Sequence, residues 1–181
     1  MLRRCHRMVQ VFSDYRDVLS LQNAHVSRLR SLTHFYSGGG DNPNFNALKH
    51  LFLEYCPRLE GIVPRDCVLP SLETQGILCC YNLMAIFYEY GPQSSPAGYT
   101  LPCLRRIRHQ ELPLLEHLHV DNPMLIAPAW EELHVRGCWS LRHLPRFHQQ
   151  PDKAVEVSGE LAWWNKLCWD GTHSHHGSYL R

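Results

Sequence analysis

The 181-residue sequence has no apolar run approaching the roughly 18 to 20 residues that a membrane-crossing helix requires. Its 26 leucines occur singly or in pairs, so no transmembrane helix is expected. Nor is charge of one sign in excess: 18 Lys plus Arg stand against 17 Asp plus Glu. That balance argues against a dedicated nucleic-acid binder or a protein held on an anionic membrane. None of the eight cysteines are spaced as C-x-x-C, which excludes a zinc ribbon or a thioredoxin-like motif. The basic opening Met1-Leu2-Arg3-Arg4-Cys5-His6-Arg7-Met8 lacks the apolar stretch and small-residue cleavage site of a secretory signal. A cytoplasmic protein with reduced, mostly buried thiols is the resulting expectation. The glycine run Gly38-Gly39-Gly40 is not followed by Lys-Ser or Lys-Thr, so it is a loop and not a phosphate-cradling P-loop. What remains, 44% hydrophobic and 19% charged residues, is the composition of a chain that buries a core.

The strongest positive signal is an internal repeat. Leu48-x-x-Leu51-x-Leu53-x-x-Cys56-x-x-Leu59-x-x-Ile62 aligns without a gap with Leu133-x-Val135-x-x-Cys138-x-x-Leu141-x-x-Leu144. A weaker copy has Gln75-x-Ile77-x-x-Cys80-x-x-Leu83-x-x-Ile86, and another Ala24-x-Val26-x-x-Leu29-x-x-Leu32-x-x-Phe35. The residues Leu2-x-x-Cys5-x-x-Met8-x-x-Val11 supply the tail of a further one. The marker positions Cys5, Leu29, Cys56 and Cys80 are 24, 27 and 24 residues apart, within the period of leucine-rich repeats. Strand side chains alternate, so both apolar residues of L-x-L face one side, and stacked copies bury a face that no single copy can bury alone. Ile107-x-His109-x-x-Leu112 continues the series after a stretched interval of 32 residues containing the turn-rich Gly91 to Gly98 insert. Leu115-x-x-Leu118-x-Val120 competes with it for the strand. The expectation is an α/β leucine-rich-repeat solenoid of five to seven repeats over residues 1–157. It has short parallel strands on a concave face, irregular convex loops and little helix. Residues 158–170 are expected to cap it, and residues 171–181 to form a flexible tail.

The segment Ala127-Pro128-Ala129-Trp130-Glu131-Glu132-Leu133-His134-Val135-Arg136-Gly137-Cys138-Trp139, with Val155-Glu156-Val157-Ser158-Gly159-Glu160 and Trp163-Trp164-Asn165-Lys166-Leu167-Cys168-Trp169, resembles a known family. It is similar to the C-terminal leucine-rich-repeat region of plant, and more narrowly grass, nucleotide-binding leucine-rich-repeat disease-resistance proteins. The resemblance implies a protein-recognition role in innate immunity, its partner being a pathogen effector or the receptor's own nucleotide-binding domain. No nucleic acid, cofactor or metal is implied, and no catalysis. The chain carries no nucleotide-binding segment of its own, so it reads as a fragment of a larger receptor. A second reading is the substrate-recognition module of a ubiquitin-ligase adaptor, which also uses leucine-rich repeats.

In such a solenoid the solvent-facing strand positions and the turn after them carry specificity. The register assigns partner binding to Arg28, Phe52, Glu54, Tyr55, Leu78, Arg108, Gln110, Glu111, His134 and Arg136. Three further features have readings of their own. The His117-x-His119 pair and the Thr172 to His176 tail offer imidazoles, but a zinc site needs further ligands and their supports. A Cys-His nucleophile, Cys79 or Cys138 with His134 or His143, needs a polarised thiolate, whereas Cys138 occupies the same repeat slot as Cys56 and Cys80. Trp163, Trp164 and Trp169 suggest a cap for the open end, with a helix near Glu160 to Cys168 burying Trp164 and Leu167.

Overall fold

The computed structural model describes residues 2–3, 7–12, 20–36, 44–64, 67–88, 99–119, 124–147, 153–169 and 179–181. Arg4, Cys5, the Gly38 to Gly40 loop, the Gly91 to Gly98 insert, Val120 and the tail histidines lie outside the described residues.

Eight strands form one parallel sheet: β1 (Leu2–Arg3), β3 (Asn23–Ser27), β5 (His50–Glu54), β7 (Thr74–Leu78), β10 (Arg106–Gln110), β13 (Glu132–Arg136), β15 (Val155–Gly159) and β16 (Tyr179–Leu180). Their spatial order is their chain order, as stacking one repeat on the next requires. The register equates Ala24, Leu51, Gln75, Ile107 and Leu133, and two residues on Val26, Leu53, Ile77, His109 and Val135. All ten are buried, as the L-x-L alternation predicts. The marker residues Leu29, Cys56, Cys80, Leu112 and Cys138 are fully buried behind them, as are Leu32, Leu59, Leu83, Leu115 and Leu141. Each marker carbonyl accepts from the backbone N–H three residues on, for example Leu59 N to Cys56 O at 3.1 Å, so one tight corner recurs in every repeat. A second corner of the same kind precedes β5, β7, β10 and β13, where Leu48, Leu72, Leu104 and Trp130 donate to Phe45, Leu69, Leu101 and Ala127.

The sheet settles which strand lies in the stretched repeat. β10 pairs with β7 and β13, while the competing segment supplies β11 (His117–His119) to a different ladder. That ladder joins β11, β8 (Ala85–Tyr88) and β6 (Val63–Pro64), and an adjacent one joins β2 (Gln10–Phe12) to β4 (His34–Tyr36). A third side is built by β9 (Tyr99–Thr100), β12 (Met124–Ile126) and β14 (Arg146–Phe147). Among the described residues the outer faces thus carry short ladders where irregular loops were expected, because equivalent backbone groups one repeat apart find each other there. The α/β label also fails: α1 (Leu161–Trp164) is the one helix among the described residues and has four residues. Among the described residues, two corners and up to three strands per repeat leave no stretch long enough for a stable helix.

At the C-terminal end, Trp163 and not Trp164 is the buried face of α1, its indole N–H donating to Leu141 O at 3.0 Å. A four-residue helix has too little periodicity to fix its own phase, so that acceptor selects the ring. The last three residues also depart from a flexible tail: Tyr179 lies in β16, is 2% exposed and donates its hydroxyl to Pro145 O at 2.9 Å.

Candidate protein-binding face

The outward positions of the broad sheet form rows set by the register. One row is His25, Phe52, Gly76, Arg108 and His134, and the next is Ser27, Glu54, Leu78, Gln110 and Arg136. A third row follows the strands: Arg28, Tyr55, Cys79, Glu111 and Gly137. All ten residues assigned to partner binding stand in these rows, each exposed or half-buried.

Every member of the third row has left-handed backbone, with φ from 54° to 67°. Four of the five are not glycine, a conformation that costs about 1 to 3 kcal/mol per residue unless the surroundings impose it. What imposes it is the ladder. The amide N–H of Arg28 donates to Glu54 O, Tyr55 to Leu78 O, Cys79 to Gln110 O and Glu111 to Arg136 O, at 2.8 to 2.9 Å. At Gly137 the pattern changes: the acceptor is the Glu160 carboxylate, Oε1 at 2.9 Å. The Glu160 carbonyl is already engaged by Trp163 N and Trp164 N at the start of α1, so its side chain substitutes for the missing strand-end carbonyl. The third row is thereby fixed in space from Arg28 to the end of the repeats. The repeat register marks these positions in sequence, but only Gly137 signals their left-handed backbone.

The face divides into two chemistries. Around β5 and β7 it is apolar and aromatic. The Phe52 ring lies over Gly76, where a Cβ would come within 2.6 Å of the ring, and His25 meets Phe52 edge-on with centroids 6.2 Å apart. Leu78 and Cys79 are half-buried beside it, and Tyr55 is 51% exposed with the Arg28 guanidinium 5.9 Å from its centroid. Around β10 and β13 it is polar: Arg108, Gln110, Glu111 and Arg136, with His134 Nδ1 2.8 Å from Ser158 Oγ. Glu54 lies within the apolar half, on β5, 3.7 Å from His25 Nε2. Neither Arg108 nor Arg136 has an ion-pair partner among the described residues, whereas Arg105 and Arg106 at the other end of β10 meet Glu131 and Glu132, each at 3.3 Å.

The thiols and imidazoles of the rival readings have other surroundings. Burial pushes the Cys138 thiol up to about 12, the opposite of nucleophile activation. The hydrogen bond with Cys56 and then burial raise Cys80 well above the ordinary thiol value. His134 faces Ser158, and the His143 ring stacks on His117 with centroids 5.4 Å apart. That pair, with Glu116, Ser140 and Arg142, lines an open cleft of about 270 Å³. No group of three or more His, Cys, Asp or Glu suited to a metal ion occurs among the described residues. No helix among them is long and apolar enough to cross a membrane.

No protein-family model, no curated protein and no solved structure matches the chain. Its geometry establishes the architecture: a parallel β-solenoid of leucine-rich-repeat-like build, a scaffold suited to protein–protein interaction.

Proposed function

We propose that the chain is a protein-recognition module of plant innate immunity, built like the repeat region of nucleotide-binding leucine-rich-repeat receptors. Its broad sheet would contact a pathogen effector or the nucleotide-binding domain of such a receptor, by surface complementarity and without a chemical step. The observation that supports this best is the face around Phe52. Half-buried Phe52, exposed Tyr55 and Arg28, of residue types enriched at binding hot spots, stand there beside backbone locked by a continuous ladder. A backbone held in place before binding loses little entropy on binding, which lowers one of the costs of association.

The test is binding of the purified chain to a panel of grass-receptor nucleotide-binding domains and candidate effectors. Each is compared with a variant carrying Phe52→Ser, Arg108→Glu and Arg136→Glu. The expected result is a complex that this variant loses while keeping the parent melting temperature. A complex indifferent to all three substitutions would refute the assignment to this face.

A further inference from the structure

Beside the broad sheet, the corner that follows each strand carries its own pattern. In the repeats of β3, β5 and β7 this corner presents Arg28 and Arg30, then Tyr55 and Arg58, then Tyr81. All five are exposed, Tyr55 by 51% and Tyr81 by 47%. None of the three arginines has an ion-pair partner among the described residues, although Arg28 lies over the Tyr55 ring at 5.9 Å. The opposite rim, where the strands begin, is the reverse case. There Lys49 meets Glu73 at 3.8 Å, Arg105 and Lys153 meet Glu131 at 3.3 and 3.7 Å, and Arg106 meets Glu132 at 3.3 Å. Cations on one rim are thus neutralised within the fold, and those on the other are left to solvent.

We infer that the corner formed by Arg28, Arg30, Tyr55, Arg58 and Tyr81 is a docking strip for an acidic, extended segment of a protein partner. The inference rests on the protein-recognition reading above and names the chemistry of what is recognised. Successive corners are one strand spacing apart, about 4.8 Å, so the strip from Arg28 to Tyr81 covers about 10 Å along the stack. An extended peptide rises about 3.3 Å per residue and spans that length in about three residues. Alternate side chains of such a segment share one face, so carboxylates two residues apart reach the Arg28–Arg30 and Arg58 corners, and an apolar side chain two residues further on meets the Tyr55 and Tyr81 rings. Guanidinium forks bind carboxylates in two parallel hydrogen bonds, and exposed rings add apolar contact. The strip ends at Glu111, the first acidic residue of the left-handed row, where the sign of the corner changes. The ladder bonds from Arg28, Tyr55 and Cys79 hold the strip's backbone rigid before any partner arrives.

Fluorescence anisotropy of the full chain at low salt tests this with two labelled peptides, one of Glu and Gly around a central Leu, the other with Gln for every Glu. The acidic peptide is expected to bind about tenfold more tightly, and R28E/R58E to erase that preference. R28Q/R58Q serves as the milder variant should the reversal lower the melting temperature. R106E, a charge reversal on the opposite rim, is expected to change the affinity by less than about twofold. Equal binding of the two peptides overturns the proposal. So does an equal loss in R28E/R58E and R106E, which would mean long-range charge alone, or tighter binding of labelled oligouridylate than of the acidic peptide. A partner lost on Phe52→Ser but held equally by R28E/R58E would sink the strip and leave the protein-recognition reading standing.

Discussion

Acid should destabilise this fold through one pair of residues in its core. Gln75 and His109 occupy slots that are Leu, Ile or Val in the neighbouring strands, and both are buried, at 4% and 0% exposure. His109 Nε2 lies 3.2 Å from Gln75 Oε1, and Nδ1 is buried without a partner among the described residues. Burial lowers the His109 pKa from 6.5 to about 3. In the unfolded chain the imidazole takes up a proton below about pH 6.5, whereas in the folded chain it does not until about pH 3. Stability is therefore full above pH 6.5 and declines as pH falls toward 3, by about 1.4 kcal/mol per pH unit. At pH 4 the loss is about 3 kcal/mol, a large share of the 5 to 15 kcal/mol that holds a typical domain together. The control is Gln75→Leu/His109→Val, which restores the neighbouring apolar pattern and leaves neither partner stranded. Urea unfolding followed by tryptophan fluorescence at pH 7 and pH 4 should show the parent losing about 3 kcal/mol more than this variant. The other histidines and the carboxylates contribute to both proteins alike. Equal losses in the two would refute the reasoning.

Three further outcomes are expected. Glu160→Ala removes the acceptor of the Gly137 N–H and should cost about 1 to 3 kcal/mol in urea unfolding, while Glu160→Gln, which keeps a carbonyl oxygen, should cost less than half of that. Trp163→Ala should cost about 3 to 5 kcal/mol and Trp164→Ala clearly less, because Trp163 is 1% exposed and bonded to Leu141 whereas Trp164 is only half-buried. Under native conditions a thiol reagent followed by mass spectrometry should modify Cys103 and Cys168 rapidly, and Cys56, Cys67, Cys80 and Cys138 only as fast as the protein unfolds.

The path of the broad sheet was legible because its information repeats. Leu51 and Leu53 set a phase that Leu133 and Val135 repeat, and the marker cysteines transfer it across intervals of unequal length. The outer ladders escaped notice for a physical reason. Their strands run two to four residues, and slots such as His34-Phe35-Tyr36 and Ala85-Ile86-Phe87 are too short and too mixed to display alternation. β16 was hidden differently. Tyr179 follows its partner Val155 by 24 residues, one repeat length, but the polar, histidine-rich sequence of residues 170–178 just before it offered no apolar marker to carry the count.

The face was legible in its membership and not in its energetics. Strand alternation alone places Arg106, Arg108 and Gln110 on the same side of β10. It says nothing of the fact that Arg106 finds Glu132 one strand away while Arg108, two residues on, faces His134 across the sheet and keeps its charge free. That distinction decides which cations can serve a partner, since a charge already paired must be released before it is used again. The left-handed row shows the same division between what a repeat specifies and what it leaves open. The ladder, rather than the residue type, sets the backbone at Arg28, Tyr55, Cys79 and Glu111. Cation, phenol, thiol and carboxylate therefore stand at one fixed position of successive repeats. A scaffold that dictates the backbone and tolerates any side chain at the corner can vary its surface repeat by repeat without disturbing its core, and that freedom is what recognition of a particular partner requires.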